Sequence, residues 1–380
     1  MLFELLFVPP AFRDVVSDEA WLRALLEAER ALATAQASVG VISQEAAAAV
    51  IDACTGDFDA AALADEGRRA GNPVEPLVRA LREHAEFAHW GATSQDILDT
   101  AAALVAREAT TLITAELDGV ARACAELADR HRSTVMAART LMQQAVPTTF
   151  GLKTAGWLVG TLHARERIAA VRLPAQLGGA GGTLAALGDH GVDVLRAYCE
   201  ELDLPEPVLP WHTRRLRVAE VGAGLAIAAG FLSKIALDVV LLAQTEVGEL
   251  REGDSGSSST MPHKQNPVGS TLTRACALRV EAAAGVLLAA VPQEHERAAG
   301  AWHAEWAALS DALMLTGGAA AAMHETLGGL EVDVERMRAN IGEDTLSEAA
   351  RFGIDVTAPQ DYLGSADAFV DRALEFYRER

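Results

Sequence analysis

Apolar residues recur along much of the chain at alternating steps of three and four, which is the spacing of one face of an α-helix. The clearest run consists of Leu225, Ala228, Leu232, Ile235, Val239 and Leu242, and a second begins at Ile113 and ends at Leu127. No proline interrupts residues 77–146, 211–261 or 293–358, so these stretches can form long helices. No clear period-two run of useful length is present. The pattern predicts an all-α protein built on a long helical bundle.

The helical pattern is interrupted at a few compact places. These breaks are Gly71–Pro73, Pro147–Thr149, Gly178–Gly182, Pro205–Pro210 and Ser255–Pro267. We divide the chain accordingly into an N-terminal helical domain (1–105), a central long-helix bundle domain (106–345) and a short C-terminal helical piece (346–380).

Composition supports helix packing, because half of the residues are apolar but only 5% are aromatic. The formal charge of −21 makes nucleic acid and anionic lipid improbable partners. An anionic substrate would therefore need a local cluster of donors.

The four widely spaced cysteines predict free thiols in a reducing cytoplasm. We expect no secretory signal and no membrane span, since the longest apolar candidate, 221–243, contains Lys234 and Asp238.

Two features resemble ligand sites but predict none. The glycine run at 178–182 lacks the Gly-Lys-Ser/Thr of a phosphate loop, and no strand precedes it, so we interpret it as a turn with close backbone approach. The histidines near His84 and near His295 lack the i, i+4 spacing of a helical zinc site. We expect neither a metal nor an organic cofactor.

Polar side chains cluster in three other segments. In the first, which covers residues 89–100, Thr93 and Ser94 offer two hydroxyls beside a glycine. They could bind a ligand or simply cap a helix, with Asp96 and Asp99 orienting them.

The second segment, residues 140–151, contains two adjacent amides, Gln143 and Gln144, in an apolar context. Buried amides need partners, so the pair could form hydrogen bonds within the core or clamp a substrate carboxylate.

The third segment, residues 255–267, contains a serine cluster followed by Lys264 and Asn266. These two side chains can point the same way in an extended segment, and together they suit a carboxylate. The alternative is a flexible linker, which would not require the sequence Met-Pro-His-Lys-Gln-Asn.

The run Ser258-Ser259-Thr260-Met261-Pro262-His263-Lys264-Gln265-Asn266 resembles the signature loop of the fumarase/aspartase superfamily. The first two segments resemble the other active-site regions of that superfamily, in the same order, and the resemblance covers roughly residues 1–345. It implies an all-α homotetramer in which each active site draws residues from three subunits.

The chain departs from the superfamily pattern at two places. Superfamily members that expel amines or water carry a His–Glu dyad, and Leu141 and Thr271 stand at the matching positions. Such leaving groups benefit from a general acid, whereas a carboxylate does not, because its conjugate acid has a pKa of about 4.

Gln293–Trp306 and Tyr362–Asp367 resemble the 3-carboxy-cis,cis-muconate cycloisomerase branch, although the C-terminal domain is shorter. That resemblance implies formation of 4-carboxymuconolactone during protocatechuate (β-ketoadipate) catabolism. The alternatives are another lyase of the superfamily that acts on a succinyl adduct, such as adenylosuccinate lyase, and a non-catalytic helical scaffold.

The resemblance also implies roles for individual residues. Ser258 would deliver a proton to the α carbon, with Ser259 as the second choice. Lys264 and Asn266 would hold the carboxylate on which negative charge develops. The remaining substrate contacts would come from Thr93, Ser94, Gln143, a hydrogen bond from His89, and Arg297, which could instead form a structural ion pair.

Overall fold

The computed structural model describes residues 4–170, 172–253, 256–257, 261 and 264–380. Helices dominate it, as predicted. In the N-terminal half they are α1 (Glu4–Phe7), α2 (Pro10–Asp14), α3 (Asp18–Val39), α4 (Gln44–Ala53), α5 (Ala60–Gly67), α6 (Val74–Arg82), α7 (Ser94–Arg130), α8 (Phe150–Ala170) and α9 (Gly191–Leu202). In the C-terminal half they are α10 (Leu216–Leu242), α11 (Val268–Ala289), α12 (Ala301–Gly328), α13 (Val334–Ala339), α14 (Ser347–Arg351) and α15 (Ala366–Arg378). Short 3₁₀ turns occupy Ala185–His190, Glu343–Leu346 and Pro359–Asp361.

Six short strands form three antiparallel pairs among the described residues. The strands are β1 (Val135–Thr140), β2 (Gln143–Thr149), β3 (Leu250–Glu252), β4 (Gly256–Ser257), β5 (Gln265–Asn266) and β6 (Leu330–Val332), paired as β1–β2, β3–β6 and β4–β5. The sequence pattern missed the β1–β2 hairpin. Burial does not alternate along β1, and a register irregularity falls between Ala137 and Arg139, so no period-two signal exists to detect.

The core is a bundle in which α10, α11 and α12 pack side by side and α7 and α8 lie against them. The predicted apolar face of α10, from Leu225 to Leu242, is fully buried. Other helices of the same chain cover it, so this face does not itself require a second subunit.

Helix α10 is the one described helix that is long and apolar enough to cross a membrane by length and composition. Its packing within the bundle is that of a core helix. Asp238 accepts a hydrogen bond from the indole of Trp157 on α8 (2.7 Å) and pairs with Lys234, so the two charges that interrupt the apolar run are both accommodated.

The predicted boundary at residue 105 lies inside α7, which runs unbroken from Ser94 to Arg130. The N-terminal and central segments therefore share this helix. The second boundary, at 345, falls in the turn Glu343–Leu346. The three-domain division stays a prediction.

Candidate active site

The first polar segment forms the N-terminus of α7, with Thr93 as its N-cap residue. The carboxylate of Asp96, three residues further on, accepts a hydrogen bond from the Thr93 backbone N–H (3.0 Å), as in a capping box. Thr93 therefore caps α7, and the half-buried Ser94 is the first residue of this helix.

Asp96 also holds the glycine run against the start of α7. Its oxygens accept hydrogen bonds from the backbone N–H groups of Gly178 and Gly179 (both 2.9 Å) and face Nε2 of His212 at 2.6 Å. A Cβ atom at Gly178 would lie 2.7 Å from the His212 ring, and one at Gly179 would lie 2.8 Å from the carbonyl oxygen of Gly91. The glycines are thus required by close backbone approach, as the sequence predicted.

A buried ion cluster lies one turn further along α7. The guanidinium of Arg215 binds both oxygens of Asp99 (2.7 and 2.9 Å) and both oxygens of Glu305 on α12 (2.5 to 3.1 Å). Burial opposes the charge on Arg215, but the two carboxylates outweigh it and raise the pKa of the guanidinium. Burial also raises the pKa of Glu305, although Arg215 acts in the opposite direction.

The ion cluster fixes the groups around it. Asp99 accepts hydrogen bonds from the Trp302 indole and from the Gln95 amide (both 3.0 Å). The carbonyl oxygen of that amide in turn accepts from Arg297 (3.1 Å). The orientation of Arg297 therefore depends on Gln95, which depends on Asp99.

Arg297 forms no ion pair with a described residue. Besides Gln95, its guanidinium donates to the backbone carbonyl oxygens of Gly179 (3.1 Å) and Ala180 (2.9 Å). All three partners are neutral, so the structural ion-pair alternative finds no support. The guanidinium contributes a full positive charge beside the N-terminus of α7, where the helix dipole also favours anions.

His89 lies in the loop that leads into α7. Its Nδ1 atom is 2.6 Å from Oε1 of Glu29, a residue of α3 that is only 1% exposed. His89 adopts φ +61°, a left-handed conformation that costs a non-glycine residue about 1–3 kcal/mol. Burial alone would lower the pKa of His89, but Glu29 and Asp96 outweigh it and raise the pKa.

The second segment forms the β1–β2 hairpin, whose two-residue turn is Leu141-Met142. Both turn residues have positive φ, the backbone of a type I′ turn, which glycine and asparagine usually occupy. Leu141 is 97% exposed, so in the single chain it desolvates nothing. Gln143 and Gln144 are also exposed, which rules out the core hydrogen-bonding alternative; Gln144 binds the Asn340 and Gly342 backbone.

The third segment is described only in part, and the predicted proton donors Ser258 and Ser259 lie outside the described residues. Lys264 is exposed, and Asn266 is half-buried in β5, paired with Gly256. Thr271, at the position where the superfamily carries a glutamate, donates its hydroxyl to the carbonyl oxygen of Pro267 (2.7 Å) in the first turn of α11.

Glu252, a residue that the sequence did not single out, anchors this segment to α11. Its buried carboxylate accepts hydrogen bonds from the Gly269 and Ser270 N–H groups (both 2.9 Å) and from the Ser270 hydroxyl (2.6 Å). A carboxylate at a helix N-terminus stabilises the helix through these otherwise unpaired donors. The start of α11, and with it Asn266, is held in place.

The described residues of the first and third segments do not meet within one chain. Trp302 contacts Asp99 of the first segment, whereas Gly269, beside the third, lies against Thr326. Trp302 and Thr326 both belong to α12 and are about 24 positions apart, which is ~36 Å at 1.5 Å per residue. The hairpin lies at the same end as the third segment, because Arg139 of β1 binds Glu249 beside β3 (3.0 Å).

A few residues of this region escaped the sequence interpretation. They are Glu29, Gln95, His212, Arg215, Glu249, Glu252 and Glu305. Each is a buried polar side chain on or beside an apolar helix. For Glu29 on α3 and Glu305 on α12, the available signal was a charged residue inside an apolar periodic run, but its partner cannot be identified without the fold.

No group of three or more metal-ligating side chains occurs in the described part of the chain. The described polar groups instead supply charge and hydrogen-bond donors. At one end these are His89, Ser94 and Arg297, and at the other they are Lys264 and Asn266. Such a set suits a substrate with several carboxylates.

The family model that describes lyases matches residues 9–281, and the chain belongs to this family, the fumarase/aspartase superfamily indicated by its motifs. The nitrosuccinate lyase of Streptomyces davaonensis is 50% identical over 86% of this chain and 73% of its own length. The 3-carboxy-cis,cis-muconate cycloisomerase of Bradyrhizobium diazoefficiens is 43% identical over 94% and 82%.

The solved structure of the 3-carboxy-cis,cis-muconate lactonizing enzyme from Pseudomonas putida superposes with a TM-score of 0.93. The two chains are 37% identical in sequence, and the alignment covers 100% of this chain and 99% of that one. The all-α fold is thereby established. The relatives and the solved structure named here are enzymes, which speaks against the non-catalytic scaffold alternative.

The ion cluster generates a stability prediction. Arg215→Met would leave Asp99 and Glu305 buried without their counter-charge, and breaking such a pair costs about 3–5 kcal/mol. Without Arg215, burial would raise the pKa of Glu305 further, so the loss should be largest near pH 8 and smaller near pH 5, where this carboxyl group can protonate. Urea unfolding at the two pH values measures it.

Arg217→Met is the matched control, because Arg217 is exposed and pairs with Glu220 within one helical turn. It should change the unfolding free energy by at most about 1 kcal/mol at either pH. Equal effects of the two substitutions would contradict the assigned role of the ion cluster.

Proposed function

We propose that the protein is a 3-carboxy-cis,cis-muconate cycloisomerase that forms 4-carboxymuconolactone in protocatechuate (β-ketoadipate) catabolism. The observation that carries this proposal is the similarity to two cycloisomerases, one in sequence and one in structure, over nearly the whole chain. We further propose that the enzyme works in the cytoplasm, where its thiols remain reduced; the four cysteines are free in the structure.

The proposed reaction adds an internal carboxylate oxygen across a carbon–carbon double bond. A C–O bond forms at the β carbon, and the electron pair of the double bond moves into the carboxylate on the α carbon, giving an aci-carboxylate. A proton then bonds to the α carbon. Ser258 is our proposed proton donor and Ser259 the second choice. Because serine is too weak an acid and base unaided, closure of the surrounding loop would have to stabilise its alkoxide.

Lys264 and Asn266 are proposed to hold the carboxylate that becomes the aci-carboxylate. A positive charge and a directed amide donor at this point stabilise the intermediate more than the substrate, which is the condition for catalysis. Thr93, Ser94 and Gln143 would bind the other carboxylates, with His89 and Arg297 adding positive charge. These donors oppose the repulsion that a chain of net charge −21 exerts on a trianion.

A homotetramer is proposed because the described residues of one chain do not form a complete site. The first segment and the third lie at opposite ends of α12, ~36 Å apart, which no tricarboxylate can span. Apolar side chains on the central helices also remain exposed, including Ile227 of α10 and Leu278 of α11. Association through these helices would place the first segment of one subunit beside the third segment of another.

Nitrosuccinate lyase activity is the second candidate, and the 50% identity to a protein of that name favours it. Such a reaction would remove the proton α to a carboxylate and expel nitrite from the β carbon, leaving fumarate. Nitrite is a weakly basic anion, as a carboxylate is. Neither needs a general acid in order to leave, so Leu141 and Thr271 fit both candidates.

The two candidates predict different assays. With 3-carboxy-cis,cis-muconate, the ultraviolet absorbance of the conjugated diene should fall as the lactone forms, at about 1–10³ turnovers per second. With nitrosuccinate, the cycloisomerase should release no nitrite in a colorimetric assay. Nitrite release at such a rate, with no loss of diene absorbance, would replace the first proposal by the second.

Lys264→Met should lower kcat for the preferred substrate by about 10²–10³-fold, the typical effect of removing a donor to developing negative charge. Lys234→Met is the control, because Lys234 is paired with Asp238 on α10 rather than placed in the signature loop. Steady-state kinetics of the two variants check the role. If Lys264→Met kept more than about a tenth of the rate, the charge would have to be stabilised elsewhere.

The proposed assembly predicts a mass in light scattering close to four times the 40.0 kDa of one chain. Ile227→Glu combined with Leu278→Glu should dissociate it and abolish turnover, because each site would lose residues from other subunits. Val192→Glu, which also alters an exposed apolar residue, serves as the control. A fully active monomer would refute the shared site.

A further inference from the structure

The proposed chemistry gives His89 a role in binding the substrate but leaves its buried partner, Glu29, unexplained. The superfamily dyad is replaced by Leu141 and Thr271, yet a different carboxylate–histidine pair is buried beside the first segment. The Glu29 carboxylate is 2.6 Å from Nδ1 of His89, and the His89 side chain is only 10% exposed. Because both side chains are buried, their relative orientation is fixed.

We propose that Glu29 is a positioning residue that fixes the His89 ring through Nδ1 so that Nε2–H can donate to a carboxylate of the substrate. This inference rests on the proposed binding of a polycarboxylate at the N-terminus of α7. Glu29 lies on α3, outside all three polar segments. Through this contact it would determine both the direction of the His89 Nε2–H group and the positive charge of the ring that the substrate meets.

Three observations support this assignment. First, Nδ1 is the ring atom with a described partner, so Nε2 is the atom left to meet a ligand. Second, Oε2 of Glu29 is buried without a hydrogen-bond partner among the described residues. A buried carboxylate with one oxygen unsatisfied is costly, and a purely structural acceptor could have been a neutral amide.

Third, the backbone around His89 is held in a strained state from two sides. Gln36 of α3 donates to the Trp90 carbonyl oxygen (2.5 Å), and Arg82 of α6 donates to that of Ala88 (3.1 Å). These bonds bracket the residue with φ +61°. Strain of this kind persists only where the surroundings enforce it, and it is concentrated at functional sites.

The charges that face His89 come from three helices. Glu29 of α3 and Asp96 of α7 favour the imidazolium, whereas burial and Arg82 of α6 disfavour it, and the net effect is a raised pKa. Asp96 is already engaged by Thr93, Gly178 and His212, so Glu29 is the direct partner. The positive charge is therefore present at low pH and is lost as the pH rises through the pKa of His89.

The test compares pH profiles of kcat/KM and of tricarballylate affinity measured by calorimetry. In the wild type both should fall on the alkaline side as His89 loses its proton. Glu29→Gln, which keeps the shape of the side chain but removes its charge, should move this fall to lower pH by at least ~1 unit. Glu29→Asp, which keeps the charge, should leave the fall near its original pH even if binding weakens.

Two further variants make the test specific. In His89→Gln the alkaline fall should disappear, and adding Glu29→Gln to that variant should then leave the profile unchanged, because Glu29 acts through His89. Glu19→Gln, an exposed substitution on the same helix, is the control and should match the wild type.

The outcomes separate this inference from the proposed function. The inference is overturned, even if turnover is normal, if the alkaline fall in kcat/KM and tricarballylate affinity persists in His89→Gln. It is equally overturned if Glu29→Gln leaves the pH of that fall unchanged. Conversely, tricarballylate binding that follows the predicted pH shifts supports it even if neither candidate substrate is converted. A Glu29→Gln effect on thermal stability alone, with unchanged pH profiles, would show the pair to be merely structural.

Discussion

The constraint on which the structure depends is the unbroken length of α12. At its beginning, Glu305 joins Arg215 and Asp99 in a buried ion cluster. Near its end, it lies against the start of α11 and the strand pair β3–β6. Trp302, which contacts Asp99 of the cluster, and Thr326, which lies against Gly269 of α11, are kept ~36 Å apart by this helix. Each end can therefore be only part of a site, which is why assembly and activity are linked in the proposal.

At each end, buried carboxylates form hydrogen bonds within the protein, whereas the charge of one cationic side chain is not neutralised by a described carboxylate. Asp96 is occupied by backbone N–H groups, and Asp99, Glu305 and Glu252 are all hydrogen-bonded inside the protein. Arg297 and Lys264 have no carboxylate partner among the described residues. A strongly acidic chain can therefore present local positive charge, because the carboxylates near these cationic side chains are already hydrogen-bonded to other groups of the protein.

The helical architecture and the three polar segments could be predicted from sequence, because periodicity and unusual composition are local signals. The Thr93 cap and the close approach at Gly178 and Gly179 followed from local rules too. The hairpin at Leu141 could not be predicted, since its turn uses leucine and methionine where glycine and asparagine are usual. Nor could the pairing of Glu29 with His89, because contacts between residues sixty positions apart depend on how the helices pack.

The choice between the two candidate reactions depends on the number of carboxylates rather than on the leaving group. Both reactions release or add a stable anion, so the missing dyad is compatible with either. The cycloisomerase substrate has three carboxylates and nitrosuccinate has two. A site that presents His89 and Arg297 to a third carboxylate would leave these two donors without that ligand around the smaller substrate. An unpaired buried donor costs about 1–3 kcal/mol, which corresponds to roughly 5–150-fold in kcat/KM. If His89 and Arg297 face the third carboxylate, replacing either should weaken conversion of the tricarboxylate more than that of the dicarboxylate, and the ratio of the two activities reports which substrate the site is built to hold.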